Sequence, residues 1–391
     1  MKIAITGIGA ISSIGNDVSE NFSALESGQT GISKVDNVQQ LKKQFFAGEI
    51  KQSNAELAKL AGVSDSEIVS RTTLLGLIAA KEAFKNSDSS LRTGLISASS
   101  VGGMDLTEGF YKDVVTSGDF SKKEVLKCHD VGSGADYIAK ALGIKGYITS
   151  ISTACSSSAN AVMLGARMIL SGQLDQVLVG GMDALSAFTI SGFDSLMIYD
   201  AQRVKPFDKD RAGVNLGEGA GFVLLEGENA LKVSENKPLA HLKGWANAND
   251  SFHQTASSPE GSGAQKAIKE ALNKSGLNLE DISFVNAHGT GTGNNDLSES
   301  KALSAVFGSV PPFGSVKGFT GHTLAACGTL ELIYSIGMLQ KQQVIPNLNF
   351  VNPIEETGLV PVKELTKMPI KNILSNSFGF GGNNTSLIVG I

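Results

Sequence analysis

The sequence predicts an α/β fold of two duplicated halves, each with a mixed sheet covered by helices. Two observations carry this prediction. Short apolar runs typical of strands alternate with helix-spaced segments along the 391 residues. The strand, turn and helix around residues 153–155 also return around residues 325–327, and a glycine-bounded strand pair follows each helix. We divide the chain at a polar stretch into an N-terminal half, 1–238, and a C-terminal half, 239–391.

The predicted elements of the first half begin with an apolar N-terminal run, which glycines break and which we interpret as a strand rather than a signal peptide. Residues 100–130 resemble a surface insertion that carries Lys122 and Lys123. The remaining segments are predicted from apolar periodicity. They are a helix at 72–86, a strand at 93–98, a helix at 136–143, a strand ending near 153, a helix to 169, and strands at 176–183 and 222–225.

The second half repeats this alternation of strands and helices, and several of its strands run directly into polar residues. The strand at 282–286 leads to His288, and the strand at 312–316 leads to Lys317. The other predicted elements are a strand at 240–245, helices at 264–275 and 324–339, and strands at 372–378 and 385–389 around a glycine turn.

Composition and charge exclude several classes of function. With 41% hydrophobic and 18% charged residues, the chain can bury a large core, and its net charge of -5 with no basic stripe argues against nucleic-acid binding. No stretch is apolar and long enough to span a bilayer. Three scattered cysteines fit neither a disulfide framework nor a zinc spacing, so we expect a reducing compartment, the cytoplasm.

Cys155 is the first candidate for chemistry, because it lies on a tight turn between a strand and a helix. Backbone N–H groups at a helix start lack partners and carry the positive end of the helix dipole. We therefore expect a lowered pKa and a reactive thiolate at Cys155. The alternative is a buried cysteine that acts as a small hydrophobic residue.

Two histidines in glycine-rich segments after strands favour the reactive role of Cys155 over the packing role. His288 lies in the segment 286–292 (NAHGTGT), and His322 follows Lys317 in the segment 315–322 (SVKGFTGH). Strand ends of this kind can converge on one pocket with Cys155. A metal is possible there, but the lysine ammonium opposes a cation, and we predict none. Two imidazole N–H donors suit an oxyanion, such as the enolate that a malonyl thioester leaves on losing carbon dioxide.

Four segments together resemble the β-ketoacyl-acyl carrier protein synthases, condensing enzymes of the thiolase-like superfamily. They are 153–158 (TACSSS), 286–292, 315–322 and 376–382 (NSFGFGG). The resemblance extends over essentially the whole chain. It implies a five-layer αβαβα fold and a dimer. It also implies acyl carrier protein as a partner and no cofactor, since the phosphopantetheine arm of the carrier brings the substrate.

The resemblance also implies a role for each matching residue. Cys155 would be the nucleophile that accepts an acyl chain, and His288 with His322 would support decarboxylation and condensation. Lys317 matches the family lysine that organises the two histidines. Acidic positions behind that lysine are matched by Glu299 and Asp296.

Binding roles follow from the same resemblance. The backbone N–H groups of Cys155 and Phe378 match the oxyanion hole, and Phe378 resembles the gating phenylalanine, with Gly379–Gly382 as a mobile loop. Phe193 resembles its partner near the acyl pocket. Further matches are Thr290 and Thr292 for the pantetheine arm, and Lys122 and Lys123 for the carrier protein.

The implied reaction is the decarboxylative condensation of a Cys155-bound acyl chain with malonyl-acyl carrier protein, giving a 3-oxoacyl product. Segments 192–199 (GFDSLMIY) and 215–219 (NLGEG) resemble the ketosynthases of aryl polyene pathways, which pair with a chain-length-factor-like subunit. Elongation of a fatty acid or of a polyene, and a homodimer or a heterodimer, therefore stay open. The alternatives are a non-catalytic chain-length-factor-like subunit and a coenzyme A-dependent thiolase, in which Cys327 is the only candidate base. In a condensing enzyme we expect Cys327 to be a packing residue.

Overall fold

The computed structural model describes residues 3–36, 38, 41, 43–64 and 66–391. Its strands are β1 (Ile3–Ser12), β2 (Ile32–Lys34), β3 (Phe46–Gly48), β4 (Thr93–Ala98), β5 (Ile148–Ile151), β6 (Gln176–Asp183), β7 (Gly219–Gly227), β8 (Ala240–Asn249), β9 (Phe284–Asn286), β10 (Phe313–Gly314), β11 (Gln343–Val344), β12 (Thr366–Lys367), β13 (Asn372–Gly379) and β14 (Asn383–Gly390).

The α-helices alternate with these strands along the chain. They are α1 (Val18–Ser27), α2 (Asn54–Ala61), α3 (Arg71–Ala83), α4 (Met104–Ser117), α5 (Val131–Leu142), α6 (Ser157–Leu170), α7 (Ala187–Ser195), α8 (Glu228–Ser234), α9 (Ser262–Ser275), α10 (Gly293–Phe307), α11 (Lys317–Thr320) and α12 (Cys327–Lys341). The segment 100–130, expected to be an irregular insertion, thus contains α4.

Ten strands form one large mixed sheet in the order β10-β9-β13-β14-β8-β1-β7-β6-β4-β5. Within each half the strands, numbered along the chain, lie in the same order, 3-2-4-5-1. In each half four of these strands run in one direction, and the fifth, β7 or β14, runs in the opposite direction. This repeated order confirms the predicted duplication.

The two sheets meet where β1 pairs with β8. Among the described residues three pairs make this junction, from Ile3 with Leu242 to Ile5 with Ala240. Beyond them β8 continues alongside β14 alone. The two sheets are therefore continuous at one corner and separate elsewhere. The first strand of the second half begins at Ala240, and we retain the division at residues 238 and 239 as a proposal.

Helices cover the sheets in layers. Helices α6 and α12 pack on each other and contact strands of both halves, so they form the middle layer. Helices α3 and α5 cover the outer face of the first sheet, while α9 lies on the outer face of the second and α10 packs against α9. The protein therefore has the five-layer αβαβα arrangement. No helix of the described residues is long and apolar enough to cross a membrane.

In both halves, candidate functional residues follow the carboxyl ends of parallel strands. In the first half, β5 leads to Cys155 and β6 ends at Asp183. In the second, β9 leads to His288 and β10 to Lys317. The predicted helix at 324–339 begins as a short 3₁₀ turn, Leu324–Ala326, so α12 starts at Cys327. Ligands of open α/β sheets bind at such strand ends.

Candidate active site

Cys155 stands between β5 and α6, one residue before the N-cap Ser156. The preceding residue, Ala154, has φ of 54°, a left-handed conformation that is strained for a residue with a side chain. Hydrogen bonds hold this turn: the Ser157 hydroxyl accepts from the Thr153 N–H at 2.8 Å and donates to the Ala154 carbonyl at 2.5 Å. The turn thus aims the Cys155 side chain at a cavity that it lines.

The electrostatic surroundings of Cys155 overturn one expectation. Burial raises the pKa of the Cys155 thiol to about 11, although Lys317 and two backbone N–H groups act in the opposite direction. The expected lowering of the pKa by the helix start is therefore wrong. Loss of hydration outweighs nearby positive charge when a thiol is almost fully enclosed.

His288 follows β9 and is held from behind by Glu299. The two Glu299 carboxylate oxygens accept from the backbone N–H groups of His288 and Gly289, each at 2.9 Å, and one also accepts from the Asn376 amide at 3.1 Å. Burial raises the pKa of Glu299 to about 7. Burial, Lys317 and His322 all lower the pKa of His288 well below its usual value. His288 is therefore neutral at physiological pH.

Lys317 is fully buried and has three partners. Its ammonium donates to the His288 carbonyl at 2.5 Å and to Glu331 Oε1 at 2.5 Å, and it lies 3.3 Å from His288 Nδ1. An ammonium has no acceptor, so Nδ1 accepts this bond and Nε2 of the neutral ring carries the hydrogen. The sequence patterns do not identify Glu331 as the carboxylate partner of Lys317. Its signal was one acidic residue within the first, apolar turns of α12.

Of the two acidic positions expected behind Lys317, Glu299 acts electrostatically on the ammonium, but the direct partner is a third acid. Glu299 holds the backbone at His288, as described above. Asp296 accepts from the backbone N–H groups of Phe207 at 2.7 Å and Gly291 at 3.1 Å. Glu331, on α12, is the carboxylate that contacts the ammonium. Glu299 and Asp296 lie on α10, which faces the loop after β9, so they hold that loop while Glu331 pairs with the ammonium.

His322 is fixed by backbone and ring contacts together. Its N–H donates to the Asn215 carbonyl at 2.8 Å, and its carbonyl accepts from the Gly217 N–H at 2.9 Å. Ring Nδ1 accepts from the Leu324 N–H at 3.0 Å, so Nε2 carries the hydrogen of the neutral ring. Burial and Lys317 lower the pKa of His322 to about 3.

Cys155 and the two histidines come together in one place. The Cys155 sulfur and one ring nitrogen of each histidine lie within 4.8 Å of one another. The two imidazole rings are perpendicular, with centroids 5.4 Å apart. All three side chains line a cavity of about 120 Å³. Cysteine and histidine are also zinc ligands, but the Lys317 ammonium and the hydrogen on both Nε2 atoms oppose a cation.

The glycine-rich turn after β13 approaches Cys155 closely. A Cβ on Gly379 would lie 3.2 Å from the Cys155 nitrogen, tighter than most real contacts. The backbone N–H groups that act on the Cys155 sulfur are its own and that of Phe380. Phe380, not Phe378, also stacks on Phe193, with ring centroids 5.6 Å apart and 17° between planes.

Phe378 occupies a different position from the one expected. It pairs with Asn384 in the β13–β14 ladder, and its ring lies 5.9 Å from the His288 ring, where it lines the cavity. In a regular strand Phe378 and Phe380 would share one face, but β13 ends at Gly379 and the chain turns there, so the two rings separate. The positions expected of Phe378 beside the sulfur and beside Phe193 are therefore corrected to Phe380.

The remaining predicted residues divide into two groups. Thr290 and Thr292 line the cavity, and their hydroxyl oxygens are 2.9 Å apart. Lys122 and Lys123 lie on the surface after α4, and neither lines this cavity. Lys122 forms an exposed ion pair with Asp113 at 2.8 Å, and this hydrogen bond raises the pKa of the lysine.

Known proteins match the whole chain. The N-terminal domain of the beta-ketoacyl synthase family matches residues 1–230, and its C-terminal domain matches residues 239–351. The 3-oxoacyl-[acyl-carrier-protein] synthase 2 of Staphylococcus aureus (strain MRSA252) is 30% identical over 408 residues, covering 99% of this chain and 98% of the relative. The synthase of the same name from Vibrio cholerae serotype O1 is 31% identical over 411 residues, with coverage of 99% and 98%.

Solved structures agree with this assignment. The ishigamide ketosynthase/chain length factor superposes with a TM-score of 0.93 at 27% identity, covering 100% of this chain and 98% of that one. The ketosynthase ApeO of Xenorhabdus doucetiae, solved in complex with its chain length factor ApeC, gives a TM-score of 0.88 at 30% identity with the same coverage. Sequence, fold and site therefore agree that the chain belongs to the β-ketoacyl synthase family.

Proposed function

We propose that the protein is a condensing enzyme, a β-ketoacyl-acyl carrier protein synthase that extends an acyl chain by two carbons. The observation that carries this proposal is the convergence of Cys155, His288 and His322 within 4.8 Å, from two halves of the chain. A nucleophile beside two neutral N–H donors suits a reaction that forms an acyl-enzyme and then an enolate.

In the first step the Cys155 sulfur attacks the thioester carbonyl of an acyl chain on its carrier protein. The carbonyl oxygen becomes negative, and the backbone N–H groups of Cys155 and Phe380, which act on the sulfur of the free thiol, would stabilise it. The carrier's pantetheine sulfur then leaves and takes the thiol proton. Thr290 and Thr292, which line the cavity, would hydrogen-bond the pantetheine arm. The stacked rings of Phe193 and Phe380 would gate the acyl chain, with Gly379–Gly382 as the moving loop.

In the second step malonyl-acyl carrier protein enters and its free carboxylate leaves as carbon dioxide. The electron pair left behind forms an enolate, whose oxygen would accept from Nε2–H of His288 and of His322. Their low pKa values keep both rings neutral, so these hydrogens are donated without a change of charge. The enolate carbon attacks the acyl carbonyl, and the Cys155 sulfur leaves.

Lys317 and Glu331 would organise this donor pair. The ammonium occupies Nδ1 of His288 and lowers the pKa of both rings, while Glu331 balances its charge in the buried site. Two buried charges stay ionised only when they are paired with good geometry. The Lys317–Glu331 ion pair therefore fixes the tautomer of His288 and adds no net charge to the buried site.

The two alternative functions are less well supported. A non-catalytic chain-length-factor-like subunit would not need Cys155, His288 and His322 arranged around one cavity. A thiolase would need a second cysteine as a base facing the substrate. The Cys327 thiol instead donates to the Cys155 carbonyl at 3.0 Å, and burial raises its pKa well above the usual value.

Partners and pathway follow from the relatives by analogy. We propose acyl carrier protein as the substrate carrier, contacted through Lys122 and Lys123, and no other cofactor. Solved relatives pair with a chain length factor, so a heterodimer of this kind is proposed beside a homodimer. A further solved relative, a type II PKS ketosynthase at 26% identity, favours a polyketide chain, whereas the curated relatives are named simply as 3-oxoacyl-[acyl-carrier-protein] synthases. The need for a reduced thiol at Cys155 supports action in the cytoplasm.

Loading by a panel of acyl carriers tests the proposal. The protein is incubated with carriers that bear saturated or polyene chains of different length, and intact mass spectrometry with peptide mapping follows the adduct. We expect one chain class to load on Cys155 and to leave as a 3-oxoacyl product after malonyl carrier is added. Failure of every carrier to acylate Cys155, with the protein folded and the thiol reduced, would contradict the proposal.

A further inference from the structure

Asp183 is a buried acid that the proposed reaction does not use, and it has hydrogen-bond partners in both halves of the chain. It ends β6 and has no exposed surface. Its carboxylate accepts from the Ser99 hydroxyl at 2.7 Å, from the Ser100 N–H at 3.0 Å and from the Ala325 N–H at 2.8 Å. The Val101 N–H adds a longer contact at 3.3 Å. Both carboxylate oxygens of Asp183 therefore accept hydrogen bonds.

The contact with Ala325 crosses from one half of the chain to the other. Ala325 belongs to the turn that follows His322, and its neighbour Leu324 donates to the His322 ring. Two consecutive N–H groups of this turn therefore point to His322 and to Asp183. Packing at this place is tight, since a Cβ on Gly181 would lie 2.6 Å from the Ala325 carbonyl oxygen.

From this geometry we propose that Asp183 is a positioning residue for the condensation. It anchors the turn after His322 to the strand ends of the first half, where Cys155 lies. Without this anchor the His322 ring would lose its fixed distance from the nucleophile. Catalytic hydrogen bonds are sensitive to displacements of this kind, because misplacement by about 1 Å can cost a hundredfold in rate. The proposal rests on the condensing function proposed above.

Asp183 also leaves an electrostatic signature at Cys155. The titratable groups around the Cys155 sulfur are His288, His322, Lys317, Asp183 and Cys327. Among them the carboxylate of Asp183 raises the pKa of the thiol, and the ammonium lowers it. Removing the carboxylate charge should therefore make the thiol easier to ionise while it weakens catalysis. A merely structural role would give no such opposite pair of effects.

The substitution Asp183→Asn tests both effects. The asparagine amide has the shape of the carboxylate. Its NH₂ group must, however, face one of the N–H groups that now donate to Asp183. We expect kcat for condensation to fall by about tenfold to a hundredfold, with KM changed by less than about twofold. At fixed pH, alkylation of Cys155 by iodoacetamide should become about twofold to tenfold faster.

Two control variants separate position from charge. Glu226→Gln makes the same change at a buried acid seven residues away along the β6–β7 pair, about 23 Å from Asp183, and should change neither rate. Asp183→Glu keeps the charge but displaces it, so kcat should fall while alkylation stays near the wild-type rate. If Asp183→Asn does not fold, the kcat of Asp183→Glu tests the positioning role instead.

The two readouts have separate consequences. Wild-type kcat in Asp183→Asn would overturn the positioning role, and equally slow alkylation in Asp183→Asn and wild type would overturn the electrostatic influence of Asp183 on Cys155. Absence of condensation in the wild-type protein with every carrier would instead contradict the proposed function, while the alkylation comparison would still measure the influence of Asp183 on the thiol. The two failures are therefore distinguishable.

Discussion

Cys155 and Cys327 occupy equivalent places in the two halves, each at the start of a middle-layer helix. Their surroundings differ. The Cys155 sulfur faces two imidazoles and the Phe380 N–H at the wall of a cavity. The Cys327 sulfur is enclosed, donates to the Cys155 carbonyl and lies within 4.8 Å of atoms of His288 and Glu331. Burial raises the pKa of both thiols, and the nearby carboxylate raises that of Cys327 further.

This difference shows how a duplicated fold divides one reaction. The first half supplies the nucleophile after β5, and the second half supplies both imidazoles and the buried ammonium after β9 and β10. The equivalent cysteine of the second half has become a support for the first, because α12 packs its N-terminus on the Cys155 turn. Each prediction below tests whether the two halves have these separate duties.

The largest expected effect separates the two cysteines directly. Cys155→Ala should lower condensation by more than about a thousandfold, since no acyl-enzyme can form. Cys327→Ala removes one weak S–H···O contact and should leave condensation within about fivefold of wild type. Product formation from acyl and malonyl carriers measures both variants. Equal losses in the two variants would contradict the division of roles.

The pH dependence of alkylation tests the state of the nucleophile. Because burial raises the pKa of Cys155 to about 11, the thiolate fraction should grow about tenfold per pH unit below that value. Labelling by iodoacetamide should thus rise about a thousandfold from pH 7 to pH 10, with Cys327 slower throughout. Peptide mapping quantifies each cysteine. A rate that is already level between pH 7 and pH 8.5 would show a thiol acidified by its helix instead.

The histidines should affect the second step more than the first. His322→Ala or His288→Ala removes one donor to the enolate, and loss of one such donor costs about a hundredfold to a thousandfold. Acyl loading on Cys155 should change little, because it uses backbone donors. Malonyl decarboxylation and acyl loading are measured separately. Equal slowing of both steps would mean that the rings act on the nucleophile.

Glu331→Gln probes the buried pair in the second half. Loss of the carboxylate leaves the Lys317 ammonium poorly compensated, so the free energy of unfolding should fall by about 3 kcal/mol and kcat by about tenfold. Glu226→Gln, at a buried acid of the first half that accepts from the Asn236 amide, should cost less than about 1.5 kcal/mol and leave kcat unchanged. Urea unfolding and steady-state kinetics compare the two. Matching results would deny Lys317 and Glu331 a special role.

The smallest effect concerns the pantetheine arm. Thr290→Val and Thr292→Val each remove one neutral hydrogen bond to the pantetheine arm, besides those that the hydroxyls make within the loop, which corresponds to a rise in KM of about twofold to tenfold with kcat preserved. Steady-state kinetics with acyl carrier measure this. A lower kcat with unchanged KM would place these hydroxyls in the chemical step rather than in binding.

Much of this arrangement could be predicted because it depends on local patterns. Apolar periodicity located the strands and helices that carry the site, and glycine-rich motifs after strands located Cys155, His288 and His322. The position of Glu331 could not be predicted from spacing, since its contact with Lys317 depends on how α12 packs across the sheet. Only an isolated acid in an apolar helix hinted at it.

Two further points depended on tertiary structure. Phe378 at the end of β13 and Phe380 in the turn have similar sequence surroundings, and the path of the chain at Gly379 decides which one reaches Cys155. The pKa of Cys155 depends on burial, which comes from packing of the second half onto the first. The local sequence indicates the effect of the helix start but not this loss of hydration, and it therefore predicts the wrong direction for the shift in the pKa of Cys155.

The central claim is that side chains from both halves act on one shared substrate. It is tested most directly by a single turnover of protein already acylated on Cys155, followed by intact mass spectrometry after malonyl carrier is added. We expect wild type to lose the acyl mass as 3-oxoacyl product forms, and His288→Ala/His322→Ala to retain it. Clearance of the acyl group by the double variant at the wild-type rate would contradict the account.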